Sequence, residues 1–136
     1  MDEVIAKEGS DRMKRYIDGF VIPVPKRKVK EYRKMAAEAG RIWMKHGALQ
    51  YIECVGEDLK MPLKWGGLPF TKMARAKPSE TVVFSFIVYK SRAHRDRVNA
   101  RVMGDPEISA NMEKGAPMPF DMKRMAVGGF ETLVMY

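Results

Sequence analysis

One cysteine and two histidines in 136 residues leave little from which to build a disulfide or a metal centre. Cys54 has no second thiol to pair with inside the chain. His46 and His94 fall on different predicted elements, and no CxxC or HxxxH spacing gathers ligands, so no metal and no cofactor are expected. Long apolar runs are missing too. The longest, near Val82 to Val88, is far shorter than the roughly 20 residues a membrane helix needs, and no membrane partner is expected. The opening Met1-Asp2-Glu3-Val4 has neither the basic nor the apolar stretch of a secretory leader. These absences set the expectation of a reducing, cytoplasmic setting.

What is present suits one globular domain: 46% hydrophobic and 31% charged residues, in a length that supports one core rather than two. Residues 1–14 are polar and without a sustained period, and read as an N-terminal extension to a single domain over 15–136. The net charge of +8 would attract an anionic partner if it were gathered on one face. It is spread over residues 12–34, 60–78 and 79–101 instead, and the basic run Lys26-Arg27-Lys28-Val29-Lys30 opens a helix without exposed aromatics interleaved.

Tyr16 to Val24 is rich in β-branched and aromatic residues and is predicted as a strand ended by Pro25. Val29, Tyr32, Ala36, Ala39 and Trp43 step by three and four along a helix from Lys26 to Lys45, which stops at His46-Gly47. Ala48 to Val55 reads as a second strand, with Tyr51 and Glu53 on one face and Cys54 on the other as a small core residue. Residues 56–80 are rich in glycine and proline, with Phe70 to Ala76 expected to be partly extended. Thr81 to Tyr89 is the clearest strand. Ser91 caps a helix to Met103 with Ala93, Val98 and Val102 inward, and Asp105-Pro106 starts a short helix through Met112. Arg124 to Met135 makes the last strand, in which Gly128-Gly129 marks a bulge or a close approach.

This order predicts an α+β fold of the ferredoxin-like βαββαβ kind, an antiparallel sheet with two helices on one face. The strands carry apolar residues on both alternations, so the uncovered face needs a cover. A second copy of the chain, sheet against sheet, is the economical one, and a homodimer is expected.

Candidate chemistry rests on carboxylates inside strands, where they are disfavoured unless partnered: Asp18, Glu53 and Glu131. If the first and last strands are neighbours, Asp18 and Glu131 can line one cavity, where desolvation would raise a carboxyl pKa. Phe20, Phe84, Phe86, Phe120 and Arg124 complete this candidate pocket. Arg92, Arg95, Arg97 and Arg101 make the second helix basic, a candidate anion-binding face whose bland explanation is a solvated surface.

The strand Tyr16-Ile17-Asp18-Gly19-Phe20-Val21 with Val24-Pro25, the segment Glu80 to Phe86, the stretch Met118-Pro119-Phe120-Asp121-Met122-Lys123-Arg124-Met125 and the ending Gly128-Gly129-Phe130-Glu131 together resemble the DUF1428 family. The resemblance covers roughly residues 14–132. It implies a ferredoxin-like protomer of the dimeric α+β barrel type and supplies no activity. The resulting expectation is a small homodimeric protein with a pocket for a small, partly apolar molecule, binding or transforming it. Two alternatives stand beside it: RNA binding through the basic helices, which the residues disfavour, and a cofactor-independent monooxygenase-like enzyme, which the wider superfamily implies.

Overall fold

A computed structural model of the chain describes residues 14–61, 64–113, 115 and 117–136. All but the last residue of the predicted N-terminal extension therefore lies outside the described residues. Four strands form one antiparallel sheet in the order β2-β3-β1-β4: β1 is Tyr16–Pro25, β2 Gln50–Val55, β3 Glu80–Tyr89 and β4 Ala126–Glu131. Helices α1 (Val29–Lys45) and α3 (Arg92–Met103) pack on one face of this sheet; α2 (Phe70–Met73) and α4 (Pro106–Glu113) are short. The α+β architecture is the one expected.

β1 and β3 pair along their whole lengths, from Tyr16↔Tyr89 to Pro25↔Glu80. Because side chains alternate, this register sends Tyr16, Asp18, Phe20, Ile22 and Val24 to the helix side together with Tyr89, Ile87, Ser85 and Val83. Two clusters fill that side. Ile42, Val98 and Val102 pack on Tyr16, Ile87 and Tyr89, while Tyr32 and Ala36 pack on Ile22, Val24 and Val83, and Phe20 touches both. Fully burying each such aliphatic side chain contributes about 1.5–3 kcal/mol, so this side carries most of the stabilisation.

α1 ends as expected: Gly47 adopts φ +108° and Ala48 N–H donates to the Trp43 carbonyl at 3.1 Å. Ser91 Oγ accepts from His94 N–H at 3.1 Å and starts α3, whose buried stripe is His94, Val98 and Val102. Ala93, expected inward, is exposed; the His94 ring turns back to accept from Lys90 N–H at 2.9 Å and takes the inward place.

Three local expectations are revised. Phe70–Met73 is a helical turn rather than extended, because the Pro69 carbonyl accepts from the Lys72 and Met73 amides and the Phe70 ring lies 6.1 Å from Phe84. Arg124 belongs to a 3-10 turn, Met122–Arg124, capped by Asp121, and β4 begins at Ala126 and ends at Glu131, after which Thr132 makes bonds to Arg15. Cys54 is exposed on edge strand β2 and is no core residue.

Gly128-Gly129 interrupts no pairing: Gly128↔Gly19 and Gly129↔Asp18 continue the ladder, so close approach is the reason for glycine. A Cβ at Gly129 would collide with the Tyr16 ring, and one at Gly128 would meet the Phe130 ring at 3.3 Å. Gly40 does the same between layers. A Cβ there would lie 2.7 Å from the Tyr51 ring, which lets α1 settle on β2.

Alanine at Gly40 gains roughly 1 kcal/mol of helix propensity and loses about 1–3 kcal/mol to overpacking against Tyr51. Urea denaturation of Gly40→Ala is therefore expected to show net destabilisation; a raised midpoint would mean that the close approach does not limit the packing.

Candidate functional site

Between α1 and the sheet edge β2 runs a groove of about 810 Å³, within the range of ordinary small-molecule sites, roughly 300–1,000 Å³. Its walls are largely apolar: Ala36, Gly40 and Met44 from α1, Tyr51 and Val55 from β2, and Val83 from β3. One carboxylate stands among them. Tyr32 Oη donates to Glu53 Oε1 at 2.7 Å, and Tyr51 Oη donates to Oε2 at 2.8 Å. Ser85 is buried opposite Glu53 in the β2–β3 ladder, on the same face. Burial, followed by the Glu53 carboxylate, pushes the phenol of Tyr32 well above its ordinary value, and the same two causes act on Tyr51. Both rings stay protonated and act as fixed donors to Glu53.

The residues expected from sequence to form one pocket lie in separate places. Asp18 is buried on the helix side, where Arg95 Nη1 donates to its Oδ1 at 2.7 Å. Asn99 Oδ1 accepts from Trp43 Nε1 at 3.1 Å and from Tyr89 Oη at 3.2 Å, so polar contacts tie β1, β3 and α1 to α3. Burial raises the Asp18 carboxyl although Arg95 pulls it down. Glu131 stands opposite Tyr16 on the same side of the sheet, but it is exposed at the edge whereas Asp18 is buried. Phe20 is core, and Phe120 stacks edge-on against Tyr32 at 5.6 Å. Phe84 and Phe86 lie 5.9 Å apart on the opposite face, helix-free in that it is free of α1 and α3, where Phe70 of the short α2 meets Phe84. Arg124 grips Glu80 with two bonds, 2.7 and 3.0 Å, and donates to the Arg75 carbonyl at 2.7 Å, which fastens the 3-10 turn to β3.

Of the four arginines on α3, Arg92, Arg97 and Arg101 are exposed, whereas Arg95 turns inward to Asp18 with its guanidinium 5.0 Å over the Tyr16 ring. Among the described residues no group of three or more His, Cys, Asp or Glu could hold a metal ion, and no helix is long and apolar enough to cross a membrane.

Sequence reasoning singled out Glu53 as an odd strand carboxylate and put Tyr51 on its face, but it missed Tyr32 and Ser85 as their companions. Tyr32 lies 21 residues away on another element, and only the seating of α1 on β2 brings it in.

A further carboxylate ties the two helical ends together. Asp105, buried at the start of α4, accepts from His46 Nε2 at 2.6 Å, Lys45 Nζ at 3.1 Å and Glu107 N–H at 2.8 Å. These bonds, His46 first, hold its carboxyl far below the ordinary range.

The family described as Protein of unknown function (DUF1428) matches residues 15–122. The protein named Uncharacterized protein YbaA of Escherichia coli strain K12 is 42% identical over 121 residues, covering 88% of this chain and 97% of that relative. Its counterpart in Shigella flexneri shows the same identity and coverage.

The depressed Asp105 carboxyl gives the fold an acid dependence of definite sign. The unfolded carboxyl takes up a proton first, so the stabilisation is full above the ordinary carboxylate range and is lost as pH falls through and below it. Asp105→Asn is expected to be less stable than the native chain at neutral pH, with the gap in urea midpoint narrowing from about pH 5 to about pH 2. A gap that stays constant over that interval would exclude this linkage.

Proposed function

The chain belongs to the DUF1428 family, and from that premise and the geometry of the groove we propose that it binds a small, partly apolar molecule between α1 and β2. The observation that carries the reading is the pairing of an apolar trough with one carboxylate held at both oxygens by Tyr32 and Tyr51. Small-molecule sites have this composition, mostly apolar walls with a few placed polar groups that fix orientation. Glu53 keeps lone pairs beyond those the two phenols use, so a donor on the ligand finds an acceptor waiting. Phenols held protonated are poor bases, which favours binding over monooxygenase-like chemistry begun by a phenolate. The inward turn of Arg95 removes one cation from the basic face that an RNA-binding reading requires.

The functional unit in this reading is a homodimer of ferredoxin-like protomers whose helix-free sheet faces meet in a barrel. Phe84 and Phe130 support it: both belong to that face and are 44% and 60% exposed, far more than isolated apolar side chains need be. A free, exposed Cys54 suits a reducing compartment, and the cytoplasm is the proposed location.

Binding is tested by ¹H–¹⁵N spectra of the native chain titrated with 1-hexanol and 2-phenylethanol. Shifts should concentrate at Tyr32, Ala36, Gly40, Glu53 and Val55; shifts confined to the helix-free face, or none up to the solubility limit, would overturn the reading. Dimerisation is tested by sedimentation equilibrium. Phe84→Asp should raise the dissociation constant at least about tenfold, as for an anchor residue at an interface centre, with the far-ultraviolet spectrum unchanged. A native chain that sediments as a monomer at all concentrations would remove the dimer.

A further inference from the structure

Among the described residues three carboxylates are buried, and each meets a cation. Asp18 meets Arg95, Glu80 meets Arg124, and Asp105 meets His46 and Lys45. Glu53 is half-buried in the groove and has only the two neutral phenols; among the described residues no lysine, arginine or histidine comes within ion-pair distance of it. Of the groove's own cations, Arg41 is engaged with Glu107 of α4, and Arg33 is exposed at the mouth without reaching Glu53.

We propose that the missing cation is supplied by the ligand: the groove selects a primary amine on an apolar body, whose ammonium group is received by Glu53. This deepens the small-molecule reading and rests on it. Tyr32 and Tyr51 take one hydrogen bond on each oxygen and hold the carboxylate plane in place, which leaves the remaining lone pairs for the ammonium protons. The apolar body lies along Ala36, Gly40, Met44 and Val55, where its burial adds to affinity in proportion to chain length. A charge-assisted bond to a carboxylate is about twice as strong as a neutral one, so the amine gains over an alcohol of the same shape. A ligand carboxylate is repelled by Glu53 and finds only the exposed Arg33.

The test uses hexylamine, 1-hexanol and hexanoate at neutral pH, with dissociation constants read from groove amide shifts in the native chain and in Glu53→Gln. The native chain is expected to bind hexylamine about tenfold more tightly than 1-hexanol and to bind hexanoate least. Glu53→Gln should bring hexylamine down to the level of 1-hexanol while 1-hexanol affinity is kept, which also shows that the altered groove is intact. Equal affinity for the three probes, preference for hexanoate, or an amine preference that survives in Glu53→Gln each overturns the amine assignment and leaves the small-molecule reading standing. Loss of 1-hexanol binding in Glu53→Gln moves the readout to Tyr32→Phe, in which the amine preference must persist. Absence of binding by all three probes to the native groove overturns the small-molecule reading itself.

Discussion

The register of β1 against β3 is the constraint on which the rest of the molecule depends. These two ten-residue strands are the centre of the sheet, paired without a bulge from Tyr16↔Tyr89 to Pro25↔Glu80. Alternation then assigns every side chain to a face. A slip of β1 by one residue against β3 would put Asp18 on the helix-free face away from Arg95 and expose Ile22 and Val24, and the same slip taken up by β3 would bring Phe84 and Phe86 under the helices and expose Ile87. The fully buried Val24 opposes such a slip of β1, and Val83 and Tyr89 oppose it in β3, since each would lose its burial.

Charge placement sharpens the same register. A carboxylate buried without a partner is costly, so Asp18, Glu80 and Asp105 each fix the element that brings the partner. Arg95 anchors α3 over β1, Arg124 anchors the 3-10 turn to β3, and His46 with Lys45 joins the end of α1 to the start of α4. Such pairs contribute little net free energy against apolar replacements, but breaking one leaves a buried charge unpaired, which makes alternative arrangements of the helices expensive. Glu53 follows different chemistry, neutral phenols in place of a cation, and it lines the groove.

Much of this was legible in the chain. Runs of β-branched and apolar residues gave β1 and β3, alternation gave β2, the three-and-four stepping gave α1, and Ser91 and Asp105 announced α3 and α4, because those signals are local. The Phe70–Met73 turn was hidden by its surroundings of proline and glycine, and it forms where Phe70 finds Phe84 across the loop. β4 was read too long at both ends: the Asp121 cap and the Arg124–Glu80 clasp hold Arg124 in a turn, and the ladder ends at Glu131 rather than at Met135. For the candidate site the limit was long-range pairing. Asp18 and Glu131 do lie on adjacent strands, as supposed, but Glu131 stands at the end of an edge strand where no helix covers it. Glu53 and Tyr51 were visible as neighbours on one face; the helix residue that completes their group was not.

The two faces of the sheet divide the work by parity. Odd-numbered positions of β1 and even-numbered positions of β3 build the apolar helix-free face with Phe84, Phe86 and Phe130, while the opposite parities build the core and the floor of the groove. Ser85 sits between Phe84 and Phe86 in sequence and faces away from both, toward Glu53 and Tyr32. A ligand in the groove, against Val83, and a second sheet on the open face, against Phe84, would therefore touch opposite sides of the same strand. Coupling between them has to pass through the backbone of β3, the most buried strand, whose hydrogen bonds to both β1 and β2 leave it little room to move. Occupancy of the groove and association of the faces are thus expected to be nearly independent in energy, and the groove is complete within one chain.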